Sequence, residues 1–459
     1  MFDFEKFAKI VAELPSKVLD KTIDIIIKDE KALIKARPFR KAEEYIDVLG
    51  PGLVTGAADD DPSGIATYSQ AGAQYGFQLI WLSLFTFPFM AMVQEMCARI
   101  GIVTGRGLAG NIRHNYSRKI LFFVVLILFF ANTLNIAADL GAMAAATKLL
   151  LPSFSFMWCL SIFAIFILFL QIFTTYAQYS KILKYLTLGL FSYVFTAFAV
   201  HLNWGVVFSH LFTPSISFNK DQIFLLCGIL GTTISPYLFF WQTSQEVEEQ
   251  ILKGELTIKS REENVTPREI RDMRKDTWSG MFFSNAIMFF IIAACAGTLY
   301  ANGITNIATA SQAAQAIRPF GGELTYFFFA LGIIGTGLLA IPTMAGSVAY
   351  ATAETFGWKQ GLYHKLKDAE AFYGIIIISM IVATVANYFH LDPIKGLIYS
   401  AVGNGLVAPI ILFFIVRISS NEKVMGEKKN HAFITACGWL TTVVMAVVGI
   451  AVVATMFMP

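Results

Sequence analysis

Apolar runs long enough to cross a bilayer recur along the whole chain. The stretch ILFFVVLILFFANTLNIAADLGAMAAATKLL, beginning at Ile120, is one of many. An α-helix needs about 20 predominantly apolar residues to span the roughly 30 Å hydrocarbon core. A soluble fold has no place for so many such segments. Charged residues make up 15% of the chain, against about 25% in an ordinary soluble protein. These runs predict an all-α polytopic membrane protein. The five cysteines stand singly in apolar surroundings with no CxxC pair. They read as small hydrophobes, not as a disulfide frame or a metal cluster.

The hydropathy pattern predicts eleven spans, near 47–75, 77–104, 119–149, 155–174, 183–203, 222–248, 278–301, 324–354, 371–390, 395–417 and 432–457. With the N-terminus cytoplasmic, 31 of the 35 Lys and Arg residues fall on the cytoplasmic side; only Lys148, Lys220, Arg318 and Lys395 do not. The positive-inside rule therefore predicts a plasma (inner) membrane protein with its N-terminus inside and its C-terminus outside. Residues 1–46 mix charges with isolated apolar residues and show no signal-peptide h-region, so they read as a cytoplasmic amphipathic extension. Residues 47–418 form the expected ten-helix core. Residues 419–459 add a cytoplasmic loop and the eleventh span.

Two spans are interrupted at mid-membrane. In the first, GPGLVTGAADDDPSGIATYSQAGA, the run Asp59-Asp60-Asp61-Pro62-Ser63-Gly64 breaks an otherwise apolar or small-residue segment. In the sixth, FLLCGILGTTISPYLFFWQTSQEVEE, the run from Gly228 to Ser235 precedes Pro236. Proline lacks a backbone donor and disfavours helix at the preceding residue. Paired interruptions five spans apart point to an inverted-repeat transporter, spans 1–5 against 6–10, with its site between the broken helices. The half-helix ends offer carbonyls to a cation and amides to an anion. Intramembrane acids mark function by default, so Asp61, Asp60 and Asp59 are the leading site candidates.

These blocks resemble the Nramp family of ion transporters, which share the leucine-transporter-type fold. The first-span block is similar to the family's Gly-Pro-Gly…Asp-Pro-Gly-Asn motif. EMCARIGIVTGRGLAGNIRHNY resembles the end of its second span, and NIAADLGAMAAATKLL its third. The resemblance implies a carrier of divalent transition metals, usually coupled to protons. It places the family's metal-binding Asp at Asp61, the Asn at Gly64, and the Met-Pro-His motif at Ser235, Pro236 and Tyr237. The family's third-span Glu falls on Ala142, and the ninth span lacks the family's arginines. By this mapping one side-chain ligand remains and the thioether is replaced.

Two substrate readings follow. In the leading one the cargo is a small oxyanion such as bicarbonate, co-transported with Na+. Ser63, Gly64, Tyr237 and Gln242 would face the anion, and Thr343 and Ser347 of span 8 would help hold Na+. In the alternative, the cargo is a hard divalent cation, Mg2+ or Mn2+, with H+ as a possible coupling ion. Asp61, Asp60, carbonyls near Ala58 and Thr233, and the hydroxyls of Thr232 and Ser235 would then supply oxygens. A channel or an ion-sensing membrane protein is a remote third. No enzymatic activity, bound cofactor or obligate protein partner is expected; the partners are a small inorganic ion and the lipid bilayer. GRGLAG and GIIGTG lack a strand–helix context, so nucleotide binding is not expected, and no nucleic-acid partner either.

Among other polar residues, Asn132, Asn135 and Asp139 share one side of span 3 and should face the bundle. Gln70 and Asn404 could touch the permeation path or merely bond a neighbouring helix. Gln94 and Glu95 read as interface residues near the end of span 2.

Overall fold

The computed structural model describes residues 48–174, 191–200, 202–217, 219–307, 310–389 and 393–457, with Tyr45 and Ile182. The chain divides at Gly50; the expected amphipathic extension over 1–46 lies outside the described residues, apart from Tyr45. Among the described residues all regular structure is helical.

The helices are α1 Pro51–Asp59, α2 Pro62–Tyr75, α3 Trp81–Thr104, α4 Leu108–Asn115, α5 Arg118–Leu150, α6 Phe156–Phe173, α7 Phe191–Ala199, α8 Trp204–Leu211 and α9 Lys220–Thr233. They continue with α10 Pro236–Leu252, α11 Ile258–Glu263, α12 Pro267–Thr298, α13 Ala310–Phe356, α14 Glu370–Ala386, α15 Pro393–Ser419, α16 Glu422–Met425 and α17 Ala432–Phe457.

Eight described helical segments are long and apolar enough to cross a membrane, or nine if the bent pair Pro62–Leu79 and Trp81–Thr104, which meet at 105°, counts as one span. The eight segments fall on expected spans 3, 4 and 6 to 11, with ends within a few residues for most, and the bent pair falls across expected spans 1 and 2. The seventh starts earlier, because α12 begins in the charged stretch at Pro267. There Thr266 and Glu269 form a reciprocal capping box that starts the helix outside the apolar run. The expected fifth span, 183–203, lies largely outside the described residues.

The surface confirms what solvates these helices. Phe122, Phe123, Phe130 and Leu134 of α5 are exposed, as are Trp158, Ile162 and Ile165 of α6 and Phe433, Val447 and Ile450 of α17. Meanwhile Asp59, Asp60, Asp61, Asn132, Asn135 and Asp139 are buried. Apolar outside and polar inside is the arrangement a lipid solvent selects.

Short side chains let the site-bearing helices approach closely. A Cβ at Gly56 of α1 would lie 2.2 Å from the carbonyl carbon of Gly280 on α12, and one at Gly280 would lie 2.0 Å from the Gly52 carbonyl oxygen. The two backbones therefore touch directly, as small residues permit in membrane helices. Asp276 of α12 ties the contact down by accepting from the amides of Gly52 (2.6 Å) and Leu53 (3.0 Å) at the start of α1. This carboxylate caps the first turn of α1.

The connections sort into two ends. The loops after spans 2, 6, 8 and 10 gather at one end. Arg106 pairs with Glu262 at 2.7 Å, and Lys428 donates to the Val265 carbonyl at 3.1 Å. A cavity of about 650 Å³ there is lined by Arg106, Arg113, Arg261, Glu354 and Lys359, among others. The loops after spans 1, 5 and 7 meet at the opposite end. Gln78 donates to Ser215 and Ser217, and Gln70 donates to Thr305 and accepts from the Ile307 amide. Gln70 thus latches a loop.

Candidate ion-binding site

Both expected breaks are present, and they meet. α1 ends at Asp59 and α2 begins at Pro62; α9 ends at Thr233 and α10 begins at Pro236. The Tyr237 hydroxyl on α10 donates to the Ala58 carbonyl at the end of α1, at 2.7 Å. Tyr68 of α2 and Thr233 of α9 share a hydroxyl–hydroxyl hydrogen bond of 3.2 Å.

Asp61 occupies the meeting point. It is the N-cap of α2, with extended backbone, and Pro62 follows at the first helical position. Proline is well suited there because that amide has no intrahelical partner anyway. Its Oδ1 accepts from the Gly64 amide (2.6 Å), the Ser63 hydroxyl (2.7 Å) and, more distantly, the Thr232 hydroxyl (3.5 Å). Its Oδ2 accepts from the Asn135 side-chain amide of α5 at 2.9 Å. The same Asn135 nitrogen lies 3.0 Å from the Met344 sulfur of α13. The Ser400 hydroxyl of α15 donates to the Asn135 carbonyl oxygen and to the Leu397 carbonyl. Asp61 is only 1% exposed and Asn135 and Met344 are 0% exposed, so the cluster is closed off from solvent.

The other acids face elsewhere. Ser284 of α12 donates to Asp59 Oδ2 at 2.7 Å and reaches Asp60 Oδ1 at 3.5 Å. Asp59 Oδ1 and Asp60 Oδ2 are buried without a hydrogen-bond partner among the described residues. Asp139 of α5 has neither oxygen in a well-formed hydrogen bond, and it lies against the Ser63 backbone at the start of α2.

The remaining sequence candidates divide. Thr233 and Ser235 turn their hydroxyls back onto carbonyls of α9: Thr233 to Ile229, Ser235 to Gly231 and Thr232. Gln242 donates to Glu246 on its own helix, one turn along. Thr343 bonds the Ala340 carbonyl, and Ser347 bonds the Met344 carbonyl while accepting from Asn132. Thr343 and Ser347 are therefore near Met344 but have no hydrogen bond to Asp61. Asn404 is buried with neither side-chain atom partnered among the described residues. Glu95 receives Arg99, Arg274 and Trp278, joining α3 to α12, while both side-chain atoms of Gln94 are buried without a partner.

This geometry corrects the oxyanion reading. The anion was to rest on the amides opening α2, on Ser63 and on the Tyr237 hydroxyl. Asp61 itself takes the Gly64 amide and the Ser63 hydroxyl, Asp139 stands against Ser63, and Tyr237 is held by Ala58. Two acids already fill the end of α2 that would welcome an anion. The arrangement suits a cation instead. The residue at the family's Asn position is also explained. A Cβ at Gly64 would lie 2.9 Å from Thr232 Oγ1, so a side chain there meets a neighbouring helix.

Two residues beside Asp61 escape the sequence reading. It places Asn135 on the bundle-facing side of its helix without a ligand role, and it says nothing of Met344. The polar stripe Asn132-Asn135-Asp139 is the signal that could have found the first. A methionine inside the apolar run GLLAIPTMAGSVAY carries no signal of its own.

Comparison with known proteins gives three findings. The family described as "Natural resistance-associated macrophage protein-like" (Nramp) matches residues 52–455. The chain is 26% identical over 435 residues to "Divalent metal cation transporter MntH" of Aeromonas hydrophila, covering 92% of this chain and 98% of the relative. It is 26% identical to the protein of the same name in Klebsiella pneumoniae, covering 88% and 92%. Among solved structures, the manganese transporter of Eremococcus coleocola superposes with a TM-score of 0.69 at 17% identity, over 90% of this chain and 88% of the other. At that identity the superposition speaks for the fold alone.

Proposed function

The chain belongs to the Nramp family, a family of multi-pass membrane transporters, and from that premise we propose that it carries a divalent metal cation across a membrane by alternating access. The single observation that supports this reading is Asp61. It is a buried acid at the junction of two broken helices, with the anion-accepting amides around it already taken. A cation arriving there neutralises a carboxyl that is costly to bury alone. The C-terminal ends of α1 and α9 turn their carbonyl dipoles toward the same junction and favour positive charge. The names of the curated relatives point the same way.

On this reading spans 1–5 and 6–10 form the inverted repeat, and one bundle rocks against the other around Asp61. The N-terminus lies in the cytoplasm of a cell whose inner membrane holds the protein, as the distribution of Lys and Arg favours. The coupling ion is H+ or Na+, and one assay separates them. The purified protein is reconstituted into liposomes, and uptake of Mn2+, Mg2+ and labelled bicarbonate is followed under a proton gradient, a sodium gradient and neither. Saturable uptake of a divalent cation is expected. Bicarbonate uptake driven by sodium, without metal uptake, would overturn the proposal.

A further inference from the structure

We infer that Met344 and Asn135 are cargo ligands beside Asp61, giving this site a thioether and an amide that select borderline and soft divalent cations over Mg2+ and Ca2+. The inference rests on the metal-transport reading above and sharpens its substrate class.

The geometry begins with one nitrogen. The Asn135 amide group stands 2.9 Å from Asp61 Oδ2 and 3.0 Å from Met344 Sδ. A single small donor thus touches an anionic oxygen and a sulfur at once. Sharing that neighbour at 2.9 and 3.0 Å, those two atoms lie no more than about 6 Å apart. Three separate helices bring them there: α2 through its N-cap, α5 and α13. All three side chains are buried, with exposures of 1%, 0% and 0%. A methionine sulfur against the amide that serves Asp61 needs a reason, because a thioether is a weak hydrogen-bond acceptor and contributes most as a soft ligand.

Asn135 can exchange its NH2 for its carbonyl oxygen toward the ion. Its oxygen presently accepts from Ser400, whose hydroxyl also lies at 2.8 Å from the Leu397 carbonyl. When the amide turns over, Ser400 donates to Leu397 and accepts the Asn135 NH2. No hydrogen bond is lost at that end. At the other end a positive ion replaces an N–H donor between Asp61 and Met344, and the Asn135 oxygen joins them. Oxygen, oxygen and sulfur are a mixed set that Mn2+, Fe2+ or Cd2+ accept and that Mg2+, which prefers oxygen only, does not favour.

The test uses the full-length protein in nanodiscs with Cd2+ as the soft probe and Mg2+ as the hard one. Cadmium K-edge X-ray absorption is expected to show a Cd–S contribution in the parent protein that disappears in Met344→Leu, a swap that keeps the side-chain volume. Calorimetry is expected to show Cd2+ affinity falling by about tenfold or more in Met344→Leu, with Mg2+ affinity unchanged. Asn135→Leu is expected to weaken both ions, and Asn135→Asp, which keeps an oxygen, to retain both. A Cd–S contribution that persists in Met344→Leu, or an oxygen-only shell in the parent, would overturn this inference and leave metal transport standing. Failure of the parent to bind any divalent cation would overturn both.

Discussion

Asp61 does two jobs with one carboxyl. It caps α2 and presents an acid to the junction. Asp61→Ala therefore removes an N-cap, worth about 1 kcal/mol, and strands the Ser63, Asn135 and Thr232 donors at about 1–3 kcal/mol for each one left unpaired. The buried carboxyl also disappears, which offsets part of that loss. We expect the variant to fold with a lower melting temperature and to show no metal uptake in proteoliposomes. Uptake at the parent rate would refute the site. Gly64 gives a second test at this scale. Gly64→Asn pushes a side chain into Thr232 Oγ1, 2.9 Å from the new Cβ, and should destabilise by about 1–3 kcal/mol. Adding Thr232→Ala should recover much of the loss in thermal unfolding. Equal stability of single and double variants would show that the neighbour does not set the fit.

At the scale of elements, the α1–α12 crossing fixes where the first break sits. Gly56→Ala drives a Cβ into the Gly280 backbone, which cannot rotate away as a side chain can. It should lower both the melting temperature and uptake. Gly374→Ala in α14 is the control, since nothing lies within 4 Å of its Cβ; there alanine should be neutral, or stabilising by up to about 1 kcal/mol. Loss at both positions alike would mean that backbone approach is not the cause. The helices and their breaks were legible because local chemistry writes them. Pro62 and Pro236 stop helices whatever surrounds them, and lipid demands long apolar runs. The ligand geometry was not. Ser235 looks like an ion-facing hydroxyl in sequence, yet it bends back to the Gly231 and Thr232 carbonyls of α9, a choice that neighbouring backbone acceptors decide. Met344 reads as packing until tertiary structure sets it beside Asn135. Thr343 and Ser347 flank Met344 on α13 and bond the Ala340 and Met344 carbonyls.

The whole molecule adds what no single helix shows. Loops after spans 2, 6, 8 and 10 gather at one end with Arg106, Arg113, Arg261 and Lys359, and the Gln70 and Gln78 latches hold the other. Cysteine labelling reads which of these ends lies inside the cell. In a background with the five native cysteines replaced, Lys259→Cys and Asn302→Cys are treated in intact cells with a membrane-impermeant maleimide. Reaction at position 302 and protection at 259 are expected; the reverse pattern would invert the topology.

One further consequence follows from the way the two oxygens of Asp61 are divided. Oδ1 stitches the first turn of α2 through Gly64 and Ser63, while Oδ2 points to Asn135. On the proposed reading, a cation drawn to Oδ2 would swivel the carboxyl about its Cβ–Cγ bond and tug the stitched oxygen with it. The arriving passenger would then act on the helix as torque, a lever for tilting half of a broken span.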